Sequence, residues 1–325
     1  MLNLRSIILS GCLITATANH AQFTDVINSN RPGESMAAFS VGKTVFQAEA
    51  GTYGTNENHD QLKYDASGYG VELNLRYGAF FEQLELILEL QYQRDHYQSE
   101  LTDTYRKGFR QMIIGGKYLV FDPNKNYEKK PNLYSWKANH SFSWREFIPA
   151  VGVYGGLNMN FFDSPYNLAN EEKISPKFMV LTQNQFGKWV VVTNLILDRI
   201  ATDFQNYGYI ITLTRGFNER WSGFIENQAI KGDLYSDVIF RGGAAFLIKE
   251  NIQVDASIGK NIKDTPSVIT GGIGLSWRFD ANYNEVILRA PKSEKEKDKD
   301  AKDKKAKKDK KKKRLDEVEG EAPPK

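Results

Sequence analysis

The chain has 325 residues, 41% of them hydrophobic, with 43 Lys or Arg against 40 Asp or Glu and a formal charge of +3. Its one cysteine, Cys12, lies in an N-terminal leader, so the chain without that leader can form no disulfide and no thiolate metal site. No stretch approaches ~18 consecutive apolar residues, which excludes a membrane-spanning helix but leaves a β-barrel open, since barrel strands need only ~9–11 residues and hide half of them in the lumen.

Residues 1–21 read as a secretory signal peptide. Arg5 supplies the charge, Ser6 to Ala16 an apolar run, and Ala16-Thr17-Ala18 or Asn19-His20-Ala21 a small-residue cleavage site. Leu9-Ser10-Gly11-Cys12 matches a lipoprotein box, but the apolar run before it is too short. Residues 22–42 show no periodicity and contain a turn signal, Asn30-Arg31-Pro32-Gly33-Glu34. This segment is expected at the periplasmic side or in the lumen, with Arg31, Pro32, Gly33 and Glu34 as a candidate plug or gate.

Alternation of period two then begins. A first strand, Thr44 to Tyr53, sets Phe46, Ala48 and Ala50 against Gln47, Glu49 and Gly51. Residues 56–67 are polar and read as a loop. In the second strand Tyr69, Val71, Leu73, Leu75 and Tyr77 oppose Gly70, Glu72, Asn74, Arg76 and Gly78, so tyrosines end the apolar face at both sides. The third sets Leu84, Leu86, Leu88, Leu90 and Tyr92 against Glu85, Ile87, Glu89, Gln91 and Gln93. Residues 95–107 read as a polar loop, and a fourth strand runs from Phe109 to Val120.

Phe121 to Arg145 is irregular, polar and basic. Strands are then expected at Phe147–Met159, Lys177–Phe186, Trp189–Leu197, Tyr207–Thr214, Trp221–Gln228, Val238–Ile248, Ile252–Lys260 and Ser267–Phe279. In the last, Ile269, Gly271, Ile273, Leu275, Trp277 and Phe279 share one face, and Val268, Thr270, Gly272, Gly274, Ser276 and Arg278 the other. Short links alternate with longer polar ones, as periplasmic turns alternate with outside loops. The long Phe121–Arg145 link breaks that rule, because it falls on the periplasmic side. A soluble β-sandwich would also alternate. Twelve strands, charges regularly opposite apolar residues and an export signal favour an all-β, 12-stranded antiparallel transmembrane barrel over residues 43–279.

Residues 280–325 differ in kind. From Ala290 onward there are 15 Lys or Arg against 10 Asp or Glu, so a near-neutral body precedes a basic tail. Such low complexity without aromatics predicts disorder. The tail is expected in the periplasm, as a solvated appendage or as a tether to an acidic protein partner or anionic headgroups. Export argues against nucleic acid.

The residues do not spell an enzyme. His59, His96 and His140 fall on separate segments, so no metal site is expected. Asn139-His140-Ser141 invites comparison with a barrel hydrolase, but a Ser–His pair needs a rigid scaffold and an orienting group. No catalytic residue and no cofactor are assigned. The polar face is more informative. Glu49, Glu72, Arg76, Glu85, Glu89, Lys117, Glu226, Arg241, Asp255 and Arg278 are expected to line the lumen. There they would form either a paired network filling a narrow barrel or a pore lining that selects solutes.

Two ends of the chain carry a resemblance. Arg31-Pro32-Gly33-Glu34, Phe39-Ser40-Val41-Gly42-Lys43 and Phe46-Gln47-Ala48-Glu49 resemble the opening of the "putative MetA-pathway of phenol degradation" family. Asn251-Ile252-Gln253-Val254-Asp255, Gly259, Gly272-Ile273-Gly274 and Trp277-Arg278-Phe279 are similar to its closing hairpin. Asn30 stands where that pattern has aspartate and Gly42 where it has proline. The basic tail lies outside the pattern. The resemblance implies an outer-membrane barrel of a Gram-negative cell, in contact with outer-membrane lipid, that passes small apolar or aromatic solutes. The other reading is a non-conducting subunit of an outer-membrane machine, docked through residues 121–145 and the tail.

Overall fold

The computed structural model describes residues 27–125, 147–168 and 170–280. Twelve strands are present: β1 (Val45–His59), β2 (Tyr64–Gly78), β3 (Leu84–Ser99), β4 (Asp103–Phe121), β5 (Ala150–Met159), β6 (Ile174–Phe186), β7 (Trp189–Asp198), β8 (Asn206–Gly216), β9 (Trp221–Gly232), β10 (Ser236–Lys249), β11 (Ile252–Asn261) and β12 (Ser267–Asp280). Each pairs with its sequence neighbours, and β1 pairs with β12 to close the barrel. The seam runs unbroken from Val45 opposite Asp280 to Asn58 opposite Ser267. Closure leaves no strand edge unpaired, which a membrane demands of backbone groups. Residues 1–26, 126–146 and 281–325 lie outside the described residues. With them go the signal peptide, Asn139-His140-Ser141, most of the long link and the tail.

Period-two alternation sorts the side chains. On β12, Ile273 is 66% exposed while Ser276 and Arg278 are buried. Exposed aromatics band both ends of the outer wall. Tyr77, Trp189, Trp221 and Trp277 lie at the end holding the chain's start, and Tyr69, Tyr92, Tyr207 and Phe240 lie at the other. Tyr69 and Tyr77 are eight residues apart on β2, or about 26 Å of strand. At a tilt of ~40° this projects to about 20 Å across the membrane, most of the ~25 Å apolar band of an outer-membrane barrel. The barrel is an outer-membrane protein, with the start of β1 at the periplasmic side.

The sequence-expected loops at 56–67 and 95–107 are largely strand. β1 and β2 stay paired out to His59 and Tyr64, and β3 and β4 to Gln98 and Asp103. These hairpins rise past the membrane into water, where neither face has to be apolar. The hydrophobic period stops there although the hydrogen-bond ladder continues. The outside connections 60–63 and 100–102 are accordingly short, and the extra length lies in strand.

Candidate functional site

All ten charged residues expected to line the lumen project from the inner face of their strands. Buried charges from four neighbouring strands, β1 to β4, meet in one network. Arg76 on β2 binds Glu49 on β1 at 2.9 Å and Glu85 on β3 at 2.5 Å, and Lys117 on β4 binds Glu85 at 3.1 Å. None of these four side chains has exposed area. Arg241 on β10 binds Glu226 on β9 at 2.9 Å and Gln228 at 2.6 Å. Glu89 on β3 accepts a bond from Tyr154 Oη on β5 at 3.4 Å. Arg278 reaches Asp280 at 3.8 Å near the periplasmic rim. Glu72 and Asp255 are joined from inside the barrel, by Arg31.

Residues 27–43 run across the lumen and bond to its walls. Arg31 donates through Nη1 to Glu72, and through Nη2 and Nε to Asp255 at 3.2 and 3.4 Å. Its side chain is 6% exposed. Ser29 Oγ lies 2.7 Å from Ser276 Oγ, and Asn28 O accepts from Gln47 and Arg76 at 3.1 and 2.6 Å. Glu226 accepts from the backbone N–H groups of Glu34 and Ser35 at 3.1 and 3.2 Å. Asn194 on β7 brackets Met36, accepting from its N–H at 2.6 Å and donating to its carbonyl at 2.8 Å. Gln183 accepts from Ala38 N–H at 3.1 Å, Lys117 donates to the carbonyls of Ala37 and Phe39, and Glu85 accepts from Val41 N–H at 2.9 Å. A segment with no regular secondary structure thus has its backbone groups satisfied by wall side chains, as burial requires.

The wall is shaped for this chain. A Cβ placed on Gly51 would stand 2.5 Å from the Arg31 guanidinium, and one on Gly274 2.3 Å from it. Glycine at these facing positions of β1 and β12 leaves the slot that the guanidinium fills. Gly42, where the segment turns into β1, has φ +96°. Proline, fixed near −65°, cannot adopt that value, so the departure from the family pattern matches the local backbone. Gly274→Val is therefore expected to expel Arg31 while leaving the strand ladder intact. With a cysteine at Ser35, which is buried, maleimide labelling should speed up several-fold in the Gly274→Val background; an unchanged labelling rate would mean the slot does not hold the segment.

The two sides of the lumen differ. Toward β3–β7, Met36, Ala38 and Phe39 pack on Ile87, Ile113, Leu119, Tyr154, Met179 and Leu181, and this side is filled. Toward β7–β11, a cavity of about 250 Å³ remains between residues 27–37 and the wall. Val192, Thr212, Thr214, Ser222, Phe224 and Ala245 form much of that wall, and none is charged. Sequence reading named Arg31 to Glu34 but missed Asn194, Gln183 and Gln253, which hold the segment from the far walls. The available signal was an amide between Val192 and Ile196 on an inner face. No group of His, Cys, Asp or Glu suited to a metal occurs among the described residues.

The barrel is similar to the crystal structure of the COG4313 outer membrane channel from Pseudomonas putida F1, with 12% identity, a TM-score of 0.51, and 78% of this chain and 100% of that chain covered. It is also similar to the NanC porin, with 8% identity, a TM-score of 0.45, and 70% and 98% covered. The translocator domain of the autotransporter NalP from Neisseria meningitidis follows, with 9% identity, a TM-score of 0.44, and 72% and 88% covered. No curated protein matches the sequence. Residues 29–279, which take in all but the first two residues of the inserted segment and all but the last residue of the barrel, match one family, and the chain belongs to it: "Putative MetA-pathway of phenol degradation".

Proposed function

We propose that the barrel conducts small neutral molecules, apolar or aromatic, passively across the outer membrane, and that residues 27–41 form its constriction. The supporting observation is the cavity of about 250 Å³ left between the inserted segment and β7–β11, whose barrel wall carries no charged side chain and whose one charged lining residue, Arg31, is paired with Glu72 and Asp255. An apolar cavity of about 150 Å³ accommodates benzene, so a single-ring solute fits a space of this size. Valine, threonine, alanine and one phenylalanine offer contact without a fixed charge, while the charges of the same cross-section are tied up in Arg31–Glu72–Asp255 and Arg241–Glu226. Paired charges select weakly, so shape and desolvation decide what passes. The family's description, which mentions phenol, agrees with a ring-bearing solute.

The test is uptake of phenol into liposomes carrying the barrel, alongside planar-bilayer conductance. Thr214→Trp, which points a large ring into the cavity, should bring uptake to the level of protein-free liposomes. Removing residues 27–41 should restore it. Silence of both the full barrel and the shortened one, each shown folded by heat-modifiable migration, would overturn the reading.

A further inference from the structure

The outer wall of β1–β4, at the outer edge of the aromatic band, holds a feature that transport does not use. Cross-strand rows can be followed from β12 to β4. The row at the band carries Ile273, Thr52, Val71, Tyr92 and Phe109. The next row outward carries Gly271, Gly54, Tyr69, Arg94 and Lys107. Arg94 and Lys107 stand directly opposite one another, and both are exposed. Like charges in that relation repel, which natural sheets avoid. Among the described residues no carboxylate pairs with either one; Arg94 lies over the Tyr105 ring at 5.6 Å. His96, one row farther out, stacks on Tyr105 with centroids 4.5 Å apart.

Beside this basic pair the wall is hollow. Gly54 and Gly271 face each other across the β1–β12 seam, in a groove of about 420 Å³ flanked by Tyr69 and Ile273. The barrel's own packing does not demand glycine there. A Cβ on Gly54 would come no nearer than 3.8 Å to another atom, and one on Gly271 no nearer than 3.7 Å. The space is open toward the surrounding lipid. Lys260 on β11, opposite Ile269, sets a further cation on the far side of the groove.

We propose that this face binds a phosphate-bearing glycolipid of the outer leaflet, its phosphate between Arg94 and Lys107 and an acyl chain along Gly54 and Gly271. The height is right: the cations share a row with Tyr69 and stand one row above Tyr92, two of the aromatics that mark the headgroup level. An anion between them turns a repulsive cross-strand pair into an attractive triad, and basic residues at a membrane surface each favour anionic headgroups. The glycine groove, beside the cations in the same row, meets the acyl chain with van der Waals contact.

The test uses the full chain in phosphatidylcholine nanodiscs doped with diphosphoryl lipid A, or with the same lipid stripped of its phosphates. Lipid retained after extraction into detergent is counted by mass spectrometry. The wild-type barrel should keep the phosphorylated lipid and lose the stripped one. Arg94→Gln with Lys107→Gln should lower retention by about tenfold or more, from two lost headgroup cations. Gly54→Leu, which fills the groove and leaves the cations in place, should lower it as well. Lys231→Gln, on the outer face of β9 opposite Tyr207, should change nothing. Equal retention by the double variant, or equal retention of the stripped lipid, would overturn the proposal. Displacement of the lipid by inorganic phosphate would also overturn it, by making the pair a site for free anions.

Discussion

Arg76→Met is expected to destabilise the barrel by about 3–5 kcal/mol, the cost of removing one partner from a buried ion pair. The Arg76 side chain has no exposed area and sits between Glu49 and Glu85, so the substitution strands two carboxylates with no water to solvate them. The two are not stranded equally. Lys117 remains 3.1 Å from Glu85, whereas Glu49 keeps only Gln47 and the Asn30 N–H, and its Oε2 has no hydrogen-bond partner. Glu49→Gln combined with Arg76→Met should therefore recover more stability than Glu85→Gln combined with Arg76→Met, which leaves Lys117 buried without its carboxylate. Urea unfolding in lipid vesicles, followed by tryptophan fluorescence, reads the order. Equal recovery by both double variants would mean that the four groups do not act as one network.

The barrel itself was legible because a membrane enforces a sharp contrast between its two faces. Tyr69 to Tyr77 on β2 and Ile269 to Phe279 on β12 alternate without a break, and all twelve strands were placed. Ends were misjudged where the contrast lapses. Past Gly54 and Arg94 neither face has to be apolar, so strand and loop have the same composition. The charged lining was legible for the same reason as the strands: Glu49, Arg76, Glu85 and Lys117 each interrupt nothing on the apolar face. Which charge pairs with which was not, because register places Arg76 beside Glu49 and Glu85 while Arg31 reaches two strands that are 183 residues apart in sequence between Glu72 and Asp255. The path of residues 27–43 was the least legible part. It has no period, and its position is set by wall side chains such as Asn194 and Gln183, which in sequence resemble any other polar residue on an inner face.

Arg31→Ala should raise the conductance of the barrel and make it fluctuate. Arg31 carries ion pairs from the first half of the inserted segment to Glu72 and Asp255. Hydrogen bonds to charged groups contribute about 1.5–3 kcal/mol each, so losing this hold shifts the population with the segment loosened by roughly 10- to 100-fold. The loosening should be partial. Met36, Ala38 and Val41 stay bound to Asn194, Gln183 and Glu85, and the apolar packing against β3–β7 is untouched. Opening is then confined to the side where the cavity already lies, along β7–β11. Arg31→Lys should resemble Arg31→Ala more than wild type, because an ammonium is a point charge and cannot bridge two walls as the planar guanidinium does. Asn194→Ala acts on the other half and should open less, since the Arg31 contacts remain. Single-channel recordings at one salt concentration rank the three variants. Conductance equal to wild type in Arg31→Ala would show that the segment is held by its packing against β3–β7 and not by this charge, and the constriction would then have to be sought around Phe39 and Tyr154.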